Sequence, residues 1–182
     1  MKFLRHVVAA VACVYLAGCA SGAQVANMVN KGEQQQFPQE IQENLALSSV
    51  TGGEETNPAW TSEISDKAFS EAIKQSLVEQ GLFSDDGNYQ LAVEMVEIEQ
   101  PLFGLDMTVT TTVKYTLTDK ETGKVLFDET VNAPYTATVG DAFAGVKRLQ
   151  LANEGSGREN IKGLLELLSK LDINADQISM VK

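Results

Sequence analysis

Four stretches of the chain arrange apolar residues as β-strands do. Residues 107–118 are the clearest, because apolar side chains fall on one face, interrupted only by Thr111, and mostly threonines fall on the other. Residues 125–135 continue such an inward face, and residues 45–50 form a short apolar run that ends at two glycines. In residues 89–98 the apolar phase shifts by one position, which predicts a β-bulge.

Two other stretches repeat apolar residues at helical spacing. Residues 63–80 form an amphipathic stripe, with Ser62 as the predicted N-cap and Gly81 as the C-terminal stop. A long final helix is predicted to begin at Asp141 as its N-cap. Two glycines in its middle either bend this helix or let it lie close on a sheet. These glycines are Gly155 and Gly157.

The predicted order of elements is β-α-β-β-β-α, which indicates the α+β class. We expect one four-stranded, mostly antiparallel sheet with two helices packed on one face, because this arrangement buries every apolar surface. The short loops between the last three strands predict a meander. The first helix then acts as a crossover that sets the first strand parallel to the second.

This topology gathers three loops at one end of the sheet, namely residues 51–61, 100–106 and 134–140. They are unusually rich in large apolar residues for loops. One interpretation is that these residues plug the open end of the sheet. The other is a candidate partner-binding patch of apolar and aromatic anchors. The candidate residues are Trp60, Pro101, Phe103, Leu105 and Tyr135.

The N-terminus has the pattern of a secretory signal. A short basic start precedes ten apolar residues at 7–16, about half of what a membrane-spanning helix needs. The sequence Leu16-Ala17-Gly18-Cys19 follows and resembles the lipobox of bacterial lipoproteins. The resemblance implies that residues 1–18 are removed and that Cys19 carries fatty chains such as palmitate. The alternative is an ordinary signal peptide with a chance cysteine.

The residues after Cys19 predict which membrane holds the anchor and how the domain is joined to it. In lipoprotein sorting an aspartate directly after the cysteine favours the inner membrane. Ala20 stands there instead, so in a two-membrane envelope we expect the inner leaflet of the outer membrane, facing the periplasm. Residues 19–44 are polar and aperiodic and predict a tether to a single domain at 45–182, with the loops pointing away from the anchored end. Alternatively, part of this stretch docks on the domain through Phe37 and Ile41.

Composition narrows the classes of function. The chain has 25 acidic against 14 basic residues, a net charge of −11, which argues against nucleic acid as a partner. Removing residues 1–18 takes away His6, the single histidine, and Cys13. No histidine-dependent nucleophile, zinc site or disulfide is then expected, and we predict no catalytic residue, metal or cofactor.

Arg148 and Arg158 either form surface ion pairs with nearby glutamates, or Arg148 anchors the final helix to the loops.

With the lipobox and this order of elements, the chain resembles small outer-membrane lipoproteins of Gram-negative bacteria. Their domains include the lipopolysaccharide-assembly and ABC-transport auxiliary lipoproteins. The resemblance implies a non-enzymatic accessory protein, anchored in the membrane by its lipid, that binds an envelope protein in transport or assembly. Two alternatives are a binder of lipid or glycan in the groove between sheet and helices, and a carboxylate-based cell-wall hydrolase. The resemblance does not assign a functional role to any particular residue of the domain.

Overall fold

The computed structural model describes residues 21–58 and 60–173 of the chain. The strands are β1 (Leu45–Thr51), β2 (Tyr89–Glu99), β3 (Met107–Asp119) and β4 (Val125–Ala137). The helices are α1 (Val25–Met28), α2 (Asp66–Glu79) and α3 (Gly145–Ser169), with a 3-10 turn at Gln39–Ile41. None of the described helices combines the length and the hydropathy that spanning a bilayer requires.

The four strands form one sheet in the order β1-β2-β3-β4. β1 is parallel to β2, whereas β2–β3 and β3–β4 are antiparallel, so the sheet is mixed. The predicted α+β class and the parallel crossover are confirmed. At one end of the sheet β1, β2 and β4 finish and β3 begins. This end, where α3 also starts, is called the loop end below.

The predicted bulge in β2 is confirmed. Pairing between β2 and β3 shifts register between Met95 and Glu97. The inserted residue, Val96, is left exposed on the sheet surface, while Met95 stays in the core. One extra residue in β2 therefore resolves the conflict between its two apolar phases.

α2 begins later than predicted and ends where predicted. Its N-cap is Ser65, whose side chain accepts a first-turn N–H, and not Ser62, which is buried and bonded elsewhere. Gly81 has a φ of +69°, the left-handed conformation that glycine adopts without steric cost. Leu82 then donates its N–H to the Leu77 carbonyl at 2.9 Å, which closes the helix end.

α3 begins at Gly145, and Asp141 does not cap it. The Asp141 carboxylate instead accepts hydrogen bonds from the Thr138 N–H and hydroxyl, at 2.7 and 2.8 Å. These hydrogen bonds lower the pKa of Asp141. Asp141 does accept a backbone N–H through its side chain, as a helix cap would, but the turn that it closes precedes the helix.

The glycines of α3 allow the helix to lie directly on the sheet. A Cβ at Gly155 would lie 2.1 Å from the ring of Tyr135 on β4. A Cβ at Gly163 would lie 2.6 Å from a Val131 methyl group, also on β4. Close packing, rather than a bend, is therefore the reason for small residues here.

Thr111, the polar residue that interrupts the apolar face of β3, belongs to a buried network with α3. Its N–H donates to the Ser156 hydroxyl at 2.9 Å, and its carbonyl accepts from the Asn160 amide at 2.9 Å. The same amide donates to the Val131 carbonyl, and its oxygen accepts from the Tyr115 hydroxyl at 2.8 Å. Burial raises the pKa of Tyr115 well above its usual value.

The tether expected at residues 19–44 requires correction over its described part. Residues 21–44 lie on the domain, and α1 contacts both α2 and α3. Met28 is buried against Gly157, and Ile41 is buried with Phe37 partly buried beside it. The alternative of docking is thus the one observed. The predicted signal peptide and Cys19 lie outside the described residues.

Candidate functional site

The loop end is organised by a cluster of polar side chains, of which Ser62 and Asn153 are buried and Gln100 and Glu63 are partly buried. The Gln100 amide, where β2 gives way to its loop, donates to the Ser62 carbonyl at 3.2 Å and to the Glu63 carboxylate at 2.6 Å. Asn153 of α3 accepts a third bond from Gln100 at 3.0 Å and donates to the Ser62 carbonyl at 2.6 Å. These bonds fix two loops and the long helix to one another.

Arg148 fixes the remaining loop. Although charged, it is buried in the first turn of α3. Its guanidinium donates to the carbonyls of Ala142 and Phe143 at 2.8 and 2.7 Å, and to that of Gly104 at 3.3 Å. The ion-pair interpretation of this residue is wrong, and its role as an anchor between helix and loops is the observed one.

Five large apolar side chains stand out from this fixed base and are between 75% and 96% exposed. They do not plug the sheet, so the first interpretation of the apolar loops is contradicted. We call this set the loop-end patch. Its members are Trp60, Leu102, Phe103, Leu105 and Phe143.

The loop-end patch shares three residues with the predicted set, but it lacks Pro101 and Tyr135 and includes Leu102 and Phe143 instead. Pro101 is only partly exposed, and Tyr135 lies within β4, not in a loop. The Tyr135 ring packs against α3, with the Arg158 guanidinium 5.5 Å from its centre. Phe143 was missed because the sequence places it inside the final helix, whereas it precedes α3.

The described chain starts at the loop end. The Ser21 carbonyl accepts from the Ser62 hydroxyl at 2.7 Å. Three residues later the Gln24 N–H donates to the buried Glu154 carboxylate at 3.0 Å, and the Asn27 amide donates to the same carboxylate at 2.8 Å. The expectation that the loops point away from the anchored end assumed that the N-terminal residues meet the domain only at the start of β1, and the contacts of residues 21–27 contradict that assumption.

Buried apolar side chains fill the space between the sheet and the two longer helices. α1 contacts both α2 and α3, and the glycines of α3 bring that helix onto β4. A surface depression of about 590 Å³ lies at the opposite end, lined mainly by glutamines of residues 34–36 and by Gln80. Within residues 21–58 and 60–173, no group of three acidic, cysteine or histidine side chains is placed to hold a metal ion.

Comparison with known proteins gives a fold but no family. No family model matches the chain, and no curated protein matches it. A DUF330-family protein from Xanthomonas campestris superposes with a TM-score of 0.55 at 10% identity, over 80% of this chain and 91% of that one. At so low an identity the likeness shows the fold alone.

Two further solved structures overlap less well. A putative lipoprotein from Caulobacter crescentus has a TM-score of 0.48 at 12% identity, covering 71% of this chain and 90% of its own. PelC from Paraburkholderia phytofirmans, described as a dodecamer, has a TM-score of 0.49 at 16% identity, covering 75% and 96%. None of the three is described as a lipopolysaccharide-assembly protein, so that part of the resemblance stays a prediction.

Proposed function

We propose that this chain is a lipid-anchored, non-enzymatic accessory protein of the bacterial cell envelope. Fatty chains on Cys19 hold it at the inner leaflet of the outer membrane, and the domain faces the periplasm. There it binds an envelope protein that works in transport or assembly. The observation that carries this proposal is the loop-end patch, because exposed apolar side chains of this size on fixed loops favour contact with another component of the envelope, membrane or protein, over solvation.

Rigidity of the loops supports a role in binding. Arg148 binds three loop carbonyls, and Gln100 binds the Ser62 carbonyl and the side chains of Glu63 and Asn153, so the loop-end patch is ordered before anything contacts it. A preorganised surface loses less conformational entropy on binding than a disordered one. The polar residues at this end therefore serve to position the apolar ones.

The chemistry of the domain offers less support for the alternatives. Glu154 is the buried carboxylate of α3, and both its oxygens are engaged by the N-terminal residues, so it is not placed for hydrolysis. The groove expected to hold lipid or glycan has little support, because apolar side chains of α2, α3 and the sheet pack together there in one buried cluster. We assign no catalytic residue, metal or cofactor.

The anchor is tested by Cys19→Ser in the full chain. We expect the variant to leave the membrane fraction and the unmodified precursor to accumulate, because fatty chains are the proposed attachment. Fractionation followed by mass spectrometry of the purified protein measures both effects. A variant that stays fully in the membrane fraction, or a native protein whose mature N-terminus is another residue, would contradict the anchor.

Binding to a protein is tested by photo-crosslinking in cells. A photoreactive residue is placed in turn at three exposed positions on separate surfaces: Val78, Val96 and Phe103. We expect a discrete protein adduct from at least one position, and its loss when Cys19→Ser removes the domain from the membrane. Absence of any protein adduct, together with soluble fragments released from purified peptidoglycan, would favour the hydrolase instead.

A further inference from the structure

The first described residue, Ser21, lies very close in the chain to the proposed anchor, Cys19. Cys19 precedes Ser21 by two residues, and two residues span at most about 7 Å in any conformation. Ser21 is held by Ser62, and the Gly22 carbonyl accepts from the Gln150 amide at 3.0 Å. A lipid on Cys19 would therefore hold the loop end of the domain against the bilayer.

The loop-end patch lies at this same end. Ser62, which holds Ser21, also accepts the Gln100 amide through its carbonyl. Trp60 lies two residues before Ser62, and Leu102 lies two residues after Gln100. The apolar loops thus leave the domain from the cluster that receives the N-terminal residues.

We propose that the loop-end patch docks into the surface of the bilayer that holds the acyl chains of Cys19. This inference rests on the proposed anchoring and names the occupant of that surface: phospholipid rather than protein. Tryptophan is favoured at membrane interfaces, and leucine and phenylalanine partition into the acyl boundary. A partner protein would then contact the open sheet or the far end of the domain.

The charge around the loop-end patch indicates which lipid it suits. Asp106 and Asp141, both exposed, stand in the same loops as Phe103 and Phe143. Carboxylates repel anionic headgroups, so apolar insertion, and not charge attraction, would drive contact. We expect docking on zwitterionic vesicles that does not strengthen when anionic lipid is added.

Trp60 provides the direct test, because it is the one tryptophan of the chain. The native acylated protein is reconstituted in phosphatidylcholine vesicles, with and without bromine atoms on the acyl chains. Docking predicts emission at shorter wavelength than in detergent-free unacylated protein, and quenching by the bromines. Trp60 emission that is neither shifted nor quenched would overturn the proposal.

Variants show whether the loops themselves make the contact. Phe103→Asp combined with Leu105→Asp is expected to remove most of the quenching, since both side chains are exposed and the fold does not need them. Val125→Asp is the matched control, because Val125 is an exposed apolar residue of the hairpin at the opposite end. Urea unfolding confirms that all variants fold. Equal quenching in the double variant and the control would overturn the proposal.

The identity of the occupant is read from the crosslink at position 103. An adduct to phospholipid supports docking on the bilayer. An adduct to another protein, or to a second copy of this chain, overturns the inference but leaves the proposed accessory function standing. A native protein without fatty chains on Cys19 would remove the proposed anchor and this inference together.

Discussion

Gly155→Ala is expected to lower the free energy of unfolding by about 3 kcal/mol, at the upper end of what overpacking in a core costs. The added methyl group would lie 2.1 to 2.4 Å from three atoms of the Tyr135 ring. Both groups sit on rigid elements, α3 and β4, so neither can withdraw without shifting backbone. Urea denaturation of the purified domain, monitored by far-ultraviolet circular dichroism, measures the loss.

A double-mutant cycle isolates the contact that causes this loss. In a Tyr135→Ala background the methyl group has room, and alanine then stabilises the helix by up to about 1 kcal/mol relative to glycine. Gly140→Ala is the matched control, because its Cβ would meet only the Thr138 hydroxyl at 3.4 Å, an ordinary contact. An equal loss in both backgrounds would show that α3 does not lie on β4 at this position.

Asn160→Leu is expected to be the other strongly destabilising change, by about 3–5 kcal/mol, because several buried polar groups lose partners at once. The Tyr115 hydroxyl loses its acceptor, and the carbonyls of Thr111 and Val131 lose a donor. Leucine has the same branched skeleton and the same number of side-chain heavy atoms as asparagine and is the bulkier of the two, so no cavity forms and loss of hydrogen bonds dominates. Thermal and urea unfolding measure the effect.

Tyr115→Phe serves as the comparison for this network. It removes one hydroxyl and leaves one buried Asn160 oxygen without a donor, so a smaller loss of about 1–2 kcal/mol is expected. If Asn160→Leu were no more destabilising than Tyr115→Phe, the bonds that the Asn160 amide donates to the Thr111 and Val131 carbonyls would add little to stability, and the network would join α3 to β3 mainly through Ser156.

Most of the sheet could be predicted from the local pattern of apolar and polar residues. Alternation along residues 107–118 and a phase shift within β2 depend on neighbouring residues, and short hairpins fix the antiparallel pairs. The parallel placement of β1 follows from the handedness and length of a single crossover. These features could be predicted because each is determined within a few tens of residues.

The N-terminal residues could not be predicted in this way. Residues 21–44 have no helical or strand period, and their burial depends on partners distant in sequence. Met28 fits because Gly157 lacks a side chain, and Glu154 engages two groups of residues 24–27. The sequence around Gly157 or Glu154 does not indicate these contacts, since a glycine inside a helix is usually interpreted only as lowering the helix propensity.

The candidate site was predicted in part. An exposed apolar patch was one of the two interpretations of the loops, and Tyr135 was assigned both to the end of the last strand and to the loop at 134–140. β4 has β3 as its one neighbour, and an outer strand tolerates proline, so pairing continues to Ala137. Phe143 was assigned to a helix whose true start follows it by two residues.

Four of the bonds that hold residues 22–27 join groups separated by 127 to 131 positions along the chain. Because synthesis proceeds from the N-terminus, these four bonds cannot form until α3 has been made. Closing so long a loop is among the slower steps of folding. In the proposed lipoprotein, removal of residues 1–18 would therefore take place while these bonds are still unmade, and the finished domain would then hold residues 22–27 against α3.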